Sequence, residues 1–102
     1  MEFLEKERSS SRLLLVELMT EGCGPCLAIR QKLTIWQKDH PHTVCLYLPI
    51  EAYREVCSQM GIYTAPTLLL FAEGKLTLRQ AGCFSLKEVL SKAEQYEKML
   101  FT

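Results

Sequence analysis

A pair of cysteines separated by glycine and proline, Cys23-Gly24-Pro25-Cys26, carries the most distinctive chemistry in this chain. Two intervening residues let the sulfur atoms approach to bonding distance when the segment begins a helix. The free N–H groups and the positive dipole end of a helix N-terminus stabilise a thiolate on the first cysteine. Pro25 suits the first turn, because its missing N–H would have had no partner there. The motif therefore predicts a redox-active dithiol.

A C-x-x-C motif also begins many zinc sites, which need a second pair of ligands. A metal or iron–sulfur site at Cys23 and Cys26 therefore stays open as an alternative. We interpret the histidines of the chain as part of a polar turn, and Cys45 and Cys57 as small packing residues. The remaining cysteines and histidines form no second C-x-x-C and no H-x-x-x-H motif; they are Cys45, Cys57, Cys83, His40 and His42.

The length of 102 residues predicts one domain over residues 1–102, and a hydrophobic content of 48% is enough for a packed core. The charged side chains cancel to a formal net charge of zero, so nothing favours nucleic acid or an anionic membrane as a partner. The apolar runs are too short to span a bilayer, and the charged residues 1–6 lack the apolar region of a signal peptide. We therefore expect a cytoplasmic protein, and the odd count of five cysteines fits a reducing compartment.

Hydrophobic periodicity predicts a chain that alternates helices and strands. Strands separated by helices imply a parallel pair, and the tight turn at Gly74 adds an antiparallel pair. The predicted fold class is therefore α/β, with a mixed central sheet of about four strands and helices on both faces. Ser85 and Glu88 form a capping-box pattern before the last helix. The predicted elements are a helix over 1–8, a turn over 9–11, a strand over 13–19, a helix from 24 to about 38, a strand over 44–48, a helix over 51–60, strands over 67–71 and 76–80, and a helix from 86 to about 100.

Three landmarks, in this order, resemble the thioredoxin family. The first is the dithiol after an apolar strand, the second is Ala65-Pro66-Thr67 at the opening of the third strand, and the third is Gly82 after the fourth strand. The resemblance covers nearly everything from Leu13 onward and implies a thioredoxin-like fold. It also implies that the peptide bond before Pro66 is cis and that this proline lies against the dithiol.

Several positions depart from the family pattern. Glu17 replaces a buried aspartate six residues before the first cysteine, and Gly22 replaces the tryptophan directly before it. Met19 stands where an aromatic residue is common, Leu46 replaces a lysine expected near the buried acid, and Gln31 replaces a helix-kinking proline. Because the chain begins late relative to the family pattern, we predict that the usual first edge strand is missing.

The resemblance implies a division of roles among the site residues. Cys23 is the nucleophile, Cys26 resolves the mixed disulfide, Glu17 accepts a proton from Cys26, and Pro66 shapes the groove beside the dithiol. Cys83 follows the groove, and is either an exposed third thiol or a half-buried small residue. The implied substrate-binding residues are Gly22, Gly24, Pro25, Thr64, Ala65 and Gly82, with Tyr63 at the rim.

By the same resemblance, the function is that of a thiol–disulfide oxidoreductase without a cofactor. It would reduce disulfide-containing protein substrates and receive electrons from a thiol reductase. The lost tryptophan, lysine and first strand also fit a non-catalytic module that holds one partner in the groove beside Pro66. The metal or iron–sulfur alternative at the two cysteines remains a third hypothesis.

A missing first strand would make residues 44–48 an edge strand. This apolar segment carries no lysine or glutamate, so the edge would be unprotected against pairing with another chain. The N-terminal segment could fold over this edge through Phe3 and Leu4, or two chains could meet there as a homodimer. We predict the covered monomer, with Leu46 or Tyr47 as the sensitive position.

Overall fold

The structure, a computed structural model, describes residues 2–101, and their side chains from Glu5 onward. The order of helices and strands is the predicted one, and within this range no helix is long and apolar enough to cross a bilayer. The elements are helix α1 (Glu2–Ser10), strand β1 (Leu13–Met19), helix α2 (Gly24–Gln37), strand β2 (Val44–Pro49), a 3-10 turn (Ile50–Ala52), helix α3 (Arg54–Gln59), strands β3 (Thr67–Ala72) and β4 (Lys75–Ala81), and helix α4 (Leu86–Leu100).

The four strands form one sheet in the order β2-β1-β3-β4. Strand β1 runs parallel to β2 and antiparallel to β3, and β3 and β4 form an antiparallel hairpin. This mixed sheet with helices on both faces confirms the predicted fold class. Strand β2 lies at one outer edge of the described sheet, as predicted.

The central strand β1 is buried on both faces. Leu14 and Val16 pack on one side with Cys57 of α3. Leu13 and Leu15 pack on the other side, under α2 and α4. Because helices cover both faces of the sheet, β1 needs a continuous apolar run instead of an alternating pattern. Each fully buried leucine of this kind contributes roughly 1.5–3 kcal/mol to stability.

Helix α1 continues two residues further than predicted. The hydroxyls of Ser9 and Ser10, which we predicted in a turn, donate hydrogen bonds to the carbonyl oxygens of Glu5 and Lys6 at 2.9 and 2.8 Å. Bonds of this kind, to the carbonyl four residues earlier, let a serine side chain satisfy itself inside a helix. The predicted turn is therefore wrong at these two serines, and only Ser11 lies outside the helix.

The predicted helix over residues 51–60 is divided into two pieces. Tyr53 separates the 3-10 turn from α3, and its φ of −133° and ψ of 38° lie outside the helical region. The Tyr53 side chain packs against the core on the α3 side of the sheet. This tertiary contact is not visible in the local periodicity, so the sequence predicted one continuous helix.

The described contacts of α1 include the β3–β4 turn. Arg8 donates a hydrogen bond to the carbonyl oxygen of Gly74 at 3.0 Å, and its guanidinium lies 4.7 Å from the centre of the Phe71 ring. A Cβ atom at Gly74, whose φ is +81°, would approach the Arg8 carbonyl oxygen to 3.3 Å, so the position favours glycine. We predicted that the N-terminal segment covers the β2 edge, but the described contacts of α1 lie at the β3–β4 turn instead. The side chains of Phe3 and Leu4 lie outside the described residues, and the oligomeric state stays a prediction.

We expect replacement of Ser85 by alanine to destabilise the protein through α4. Ser85 is the N-cap, and its hydroxyl accepts a hydrogen bond from the Glu88 N–H at 3.3 Å. Ser85→Ala should lower the free energy of unfolding in urea by about 1 kcal/mol. The control Ser91→Ala, at an exposed position inside the same helix, should cause no loss, because alanine is the better helix former. Equal stability of Ser85→Ala and the wild type would show that the cap contributes nothing.

Candidate active site

Cys23 lies directly before α2 and caps it. Its backbone is extended, with φ −86° and ψ 99°, and its sulfur accepts a hydrogen bond from the Cys26 N–H at 3.2 Å. Pro25 follows in the first turn of the helix, where no backbone partner is lost. Gly22 has a φ of +75°, a conformation that favours glycine and turns the chain from the end of β1 into the helix.

The sulfur atoms of Cys23 and Cys26 are joined in a disulfide, with a Cα–Cα distance of 5.3 Å. The structure is therefore that of the oxidised form. Cys26 is fully buried, whereas Cys23 is partly exposed. An external thiol or disulfide can therefore reach the sulfur of Cys23 more readily, and the predicted shielding of Cys26 is confirmed.

Glu51 ties the loop before the dithiol to the segment that follows β2. Its Oε2 accepts hydrogen bonds from the Glu21 N–H at 2.8 Å and from the Thr20 hydroxyl at 2.9 Å. Hydrogen bonds to the carboxylate, first of all the one from the Glu21 backbone, lower the pKa of Glu51. The sequence pattern predicted Glu51 only as part of a helix. The available signal was a carboxylate just after a strand parallel to β1, since parallel neighbours end at the same edge of a sheet.

The strand register brings the predicted groove residues to the edge of the sheet where β1 ends. Thr67 at the start of β3 pairs with Leu18 of β1, and Ala81 at the end of β4 pairs with Thr67. Pro66 and Gly82 therefore lie at the edge of the sheet where β1 continues into the loop that leads to Cys23, here called the dithiol loop (residues 20–22). The Gly82 N–H donates a hydrogen bond to the Pro66 carbonyl oxygen at 2.9 Å, which joins the two segments.

The segment before β3 forms a tight turn at this edge. The Ala65–Pro66 peptide bond is cis, as predicted. The Thr67 hydroxyl donates a hydrogen bond to the Thr64 carbonyl oxygen. Pro66 is buried and Thr64 is exposed. A Cβ atom at Gly82 would lie 3.9 Å from the Thr64 methyl group, an ordinary contact distance, so Gly82 and Thr64 are neighbours at this surface.

The other predicted groove residues are exposed around these two segments. Gly24 and Pro25 occupy the exposed first turn of α2, and a Cβ atom at Gly22 would meet no described heavy atom within 4 Å. Tyr63 is 77% exposed, which makes it accessible to a bound polypeptide. Cys83 is exposed as well, so the structure selects the exposed alternative for this third thiol.

The side chain of Glu17 is completely buried on the face of β1 that α2 covers. Neither carboxyl oxygen has a hydrogen-bond partner among the described residues. Burial raises the pKa of Glu17 to about 7, and the positive charge of Arg30 acts in the opposite direction. A carboxyl group with a pKa near neutrality can take up or release a proton at neutral pH.

Tyr47, and not Leu46, is the neighbour of Glu17 on β2. Glu17 is the register partner of Tyr47 in the parallel pairing of β1 and β2. Leu46 packs on the opposite face of the sheet, on the α3 side. The prediction that Leu46 occupies the position near the buried acid is wrong, because a step of one residue along a strand moves a side chain to the other face. The guanidinium of Arg30 lies 4.9 Å from the centre of the Tyr47 ring.

Cys45, Cys57 and His40 pack against other residues of the fold. Burial raises the pKa of Cys45 to about 11 and also raises that of Cys57, which fits the packing role predicted for both. His40 stacks on Trp36 with ring centres 4.1 Å apart, and its Nδ1 lies 2.6 Å from Glu97 Oε1 of α4. In the described part of the chain, no three His, Cys, Asp or Glu side chains are grouped as metal ligands.

The chain matches a known sequence family. The family model described as Thioredoxin matches residues 1–95. A thioredoxin from Chlamydia muridarum is 35% identical over 86 residues, which cover 81% of this chain and 84% of the relative. A thioredoxin from Chlamydia trachomatis is 32% identical over 73 residues, which cover 72% of each chain.

Solved structures share the fold. A mutant thioredoxin from Halobacterium salinarum superposes with a TM-score of 0.83 at 20% identity, covering 94% of this chain and 84% of that one. The oxidised thioredoxin from Plasmodium falciparum superposes with a TM-score of 0.80 at 21% identity, covering 94% and 91% of the two chains. At these identities the likeness shows the fold, and the sequence matches show the relationship.

We expect the buried Glu17 to make the oxidised protein less stable as the pH rises towards neutrality. Its carboxyl group has a pKa of about 7 in the folded chain against an ordinary value of 4.5, so between these pH values the folded state binds more protons. Stability therefore falls as pH rises through this range. The loss should be about 2–3 kcal/mol in urea unfolding and absent from Glu17→Gln. If both proteins show the same pH dependence, the carboxyl group is hydrated in solution.

We expect Glu51→Gln to loosen the loop before the dithiol. The neutral amide is a weaker acceptor than the carboxylate that binds Thr20 and Glu21. Hydrogen exchange at the Glu21 amide, followed by NMR, should become about ten-fold faster. Glu55→Gln, a charge removal at an exposed position in α3, is the matched control and should leave this amide unchanged. Equal protection of the Glu21 amide in the Glu51 variant and the wild type would contradict the tie.

Proposed function

The chain belongs to the thioredoxin family and is a thiol–disulfide oxidoreductase, and from this premise we propose the path by which it reduces a protein disulfide. Such a reaction needs one thiol that a substrate can reach and a second thiol behind it. Cys23 is partly exposed, and Cys26, bonded to it, is fully buried. This difference in exposure within one disulfide is the observation that supports the proposal.

In the reduced form, the Cys23 thiolate attacks one sulfur of the substrate disulfide. The substrate S–S bond breaks, a mixed disulfide forms on Cys23, and the departing sulfur takes a proton from solvent. The Cys26 thiol then loses its proton and attacks the Cys23 sulfur, which releases the second substrate sulfur as a thiolate. Two electrons have passed to the substrate, and the chain holds the Cys23–Cys26 disulfide of the present structure.

Glu17 is the proposed acceptor of the proton that Cys26 loses. The burial of Cys26 limits the access of water to its thiol. Glu17 lies on the face of β1 that is covered by α2, the helix that carries Cys26. With a pKa of about 7, this carboxyl group is partly ionised at neutral pH and basic enough to hold the proton during the attack. The proton then leaves for solvent or for the released substrate thiolate.

The proposed substrate groove lies where the dithiol loop, the start of β3 and the end of β4 meet. Pro66 forms its buried floor, and the backbone of Ala65 can pair with an extended substrate segment. Small residues leave room for that segment, and the exposed residues form the rim. The groove residues are Gly22, Gly24, Pro25, Tyr63, Thr64, Ala65 and Gly82.

The proposed partners are disulfide-containing proteins and a thiol reductase. After each turnover, the Cys23–Cys26 disulfide must be returned to the dithiol by an electron donor, and relatives named thioredoxin support a reductase in this role. Three cysteines remain outside the disulfide, and this supports a cytoplasmic, reducing environment. All of the proposed site residues belong to one chain, so we propose that a monomer is active.

Reduction of insulin disulfides with dithiothreitol as electron donor tests the roles of the two cysteines. The wild type should accelerate the reaction, and Cys23→Ser should abolish the acceleration because the attacking thiol is gone. Cys26→Ser, reduced beforehand and mixed with insulin after the dithiothreitol is removed, should accumulate a mixed disulfide on Cys23, because the resolving thiol is absent. Cys83→Ser removes an exposed thiol outside the dithiol and serves as the control with unchanged turnover.

Other outcomes would favour the alternative functions. A wild-type chain that binds oxidised insulin without reducing it would favour a non-catalytic binding module. Stoichiometric metal or iron–sulfur cluster in freshly purified protein, lost together with Cys23 and Cys26, would favour metal binding. A Cys26→Ser variant that turns over like the wild type would show that Cys26 is not the resolving thiol.

A further inference from the structure

Arg30 occupies a distinctive position beside the buried half of the dithiol. It lies one helical turn after Cys26 on α2, so both side chains project from neighbouring parts of one helix face. Its guanidinium lies 4.9 Å from the centre of the Tyr47 ring, within the range of cation–π attraction. No carboxylate among the described side chains lies within ion-pair distance of Arg30. The charge is thus held on an aromatic ring instead of in an ion pair.

The same ring connects Arg30 to Glu17. Tyr47 is the register partner of Glu17 on β2, so the ring that holds the guanidinium belongs to the β2 neighbour of the buried acid. With Cys26 in the disulfide, Arg30 is the cation of this set and Glu17 is the group that titrates near neutral pH. The titratable and charged groups that act on one another here are Glu17 of β1, Arg30 of α2, Cys45 and Tyr47 of β2, and Glu97 of α4, which acts on Cys45.

We propose that Arg30 is a positioning residue for the reaction. Held against the ring of Tyr47, its charge sets the proton affinity of Glu17, and thereby the pH range in which Cys26 can be deprotonated. This inference rests on the proposed role of Glu17 as proton acceptor, and it adds the residue that adjusts that role.

The physical basis is the attraction between a fixed cation and an ionised carboxyl group, which is strongest where little water intervenes. Burial raises the pKa of Glu17, and the Arg30 charge opposes this effect. Without the cation, a larger fraction of Glu17 would hold its proton at neutral pH, so fewer molecules could accept one from Cys26.

Added salt tests the effect of the Arg30 charge independently of mutation, because dissolved ions screen exposed charges. Arg30 is exposed, and it lines a groove of about 410 Å³ together with Tyr47 and the carboxylates Glu21 and Glu51, neither of which is within ion-pair distance of it. Dissolved ions can enter such an open groove and screen the guanidinium. Glu17 itself is fully buried, so salt acts on its titration chiefly through Arg30.

The first test follows Glu17 in the oxidised protein by NMR titration of its side-chain carboxyl carbon. In Arg30→Gln, the titration midpoint should rise by about one pH unit, while Arg30→Lys keeps the charge and should stay near the wild type. Lys32→Gln removes the same charge from an exposed position on the same helix and should leave the midpoint unchanged. Added salt should raise the midpoint of the wild type and leave that of Arg30→Gln in place.

The second measurement is the pH dependence of insulin reduction by the same variants. The rising limb should move to higher pH in Arg30→Gln, with a rate at pH 7 about five-fold lower, and Arg30→Lys should restore it. A Glu17 midpoint that does not respond to Arg30→Gln overturns the inference but leaves the proton-acceptor role of Glu17 standing. A midpoint that moves while the turnover profile stays fixed shows that Glu17 is not the acceptor, and overturns that step of the proposed function together with the inference.

Discussion

The hydrogen-bonded pairing of β1 on both of its edges is the constraint on which the rest of the structure depends. With β2 on one side and β3 on the other, the register of β1 aligns the dithiol loop, the end of β2 and the start of β3 at one edge of the sheet. Helices on both faces then exclude water from the strand. Cys23, Pro66 and Glu51 are far apart in the sequence, and they reach a common edge because one buried strand ends there.

Glu17 shows where the requirements of the site and of the core differ. A strand buried on both faces is most stable when every side chain is apolar, and an unpaired carboxylate is costly at such a position. The chain accommodates the acid by favouring its protonated form, which reduces the cost of burial. The same burial gives the acid a proton affinity suited to exchange with a thiol. The burial that lowers the stability of the fold at Glu17 is therefore the same burial that raises its pKa towards neutrality.

The sequence was sufficient where structure depends on residues close together in the chain, and insufficient where it depends on register. The dithiol at a helix start and the cap at Ser85 follow from local spacing, and the order of elements follows from periodicity. The choice between Leu46 and Tyr47 beside Glu17 depends on the pairing of two strands, which no local pattern specifies. Glu51 was missed for the same reason, since its hydrogen-bond partner in the dithiol loop lies 30 residues earlier.

Gly22 stands where the family pattern has a tryptophan, and this changes what fluorescence can report about the protein. The single tryptophan of the chain, Trp36, stacks on His40, and its indole N–H donates a hydrogen bond to Glu94 of α4 at 3.0 Å. Ten residues of helix separate it from Cys26, a rise of about 15 Å. Its emission therefore reports the contact between α2 and α4. In this chain, intrinsic fluorescence follows the unfolding of the domain and is a poor indicator of whether the dithiol is oxidised.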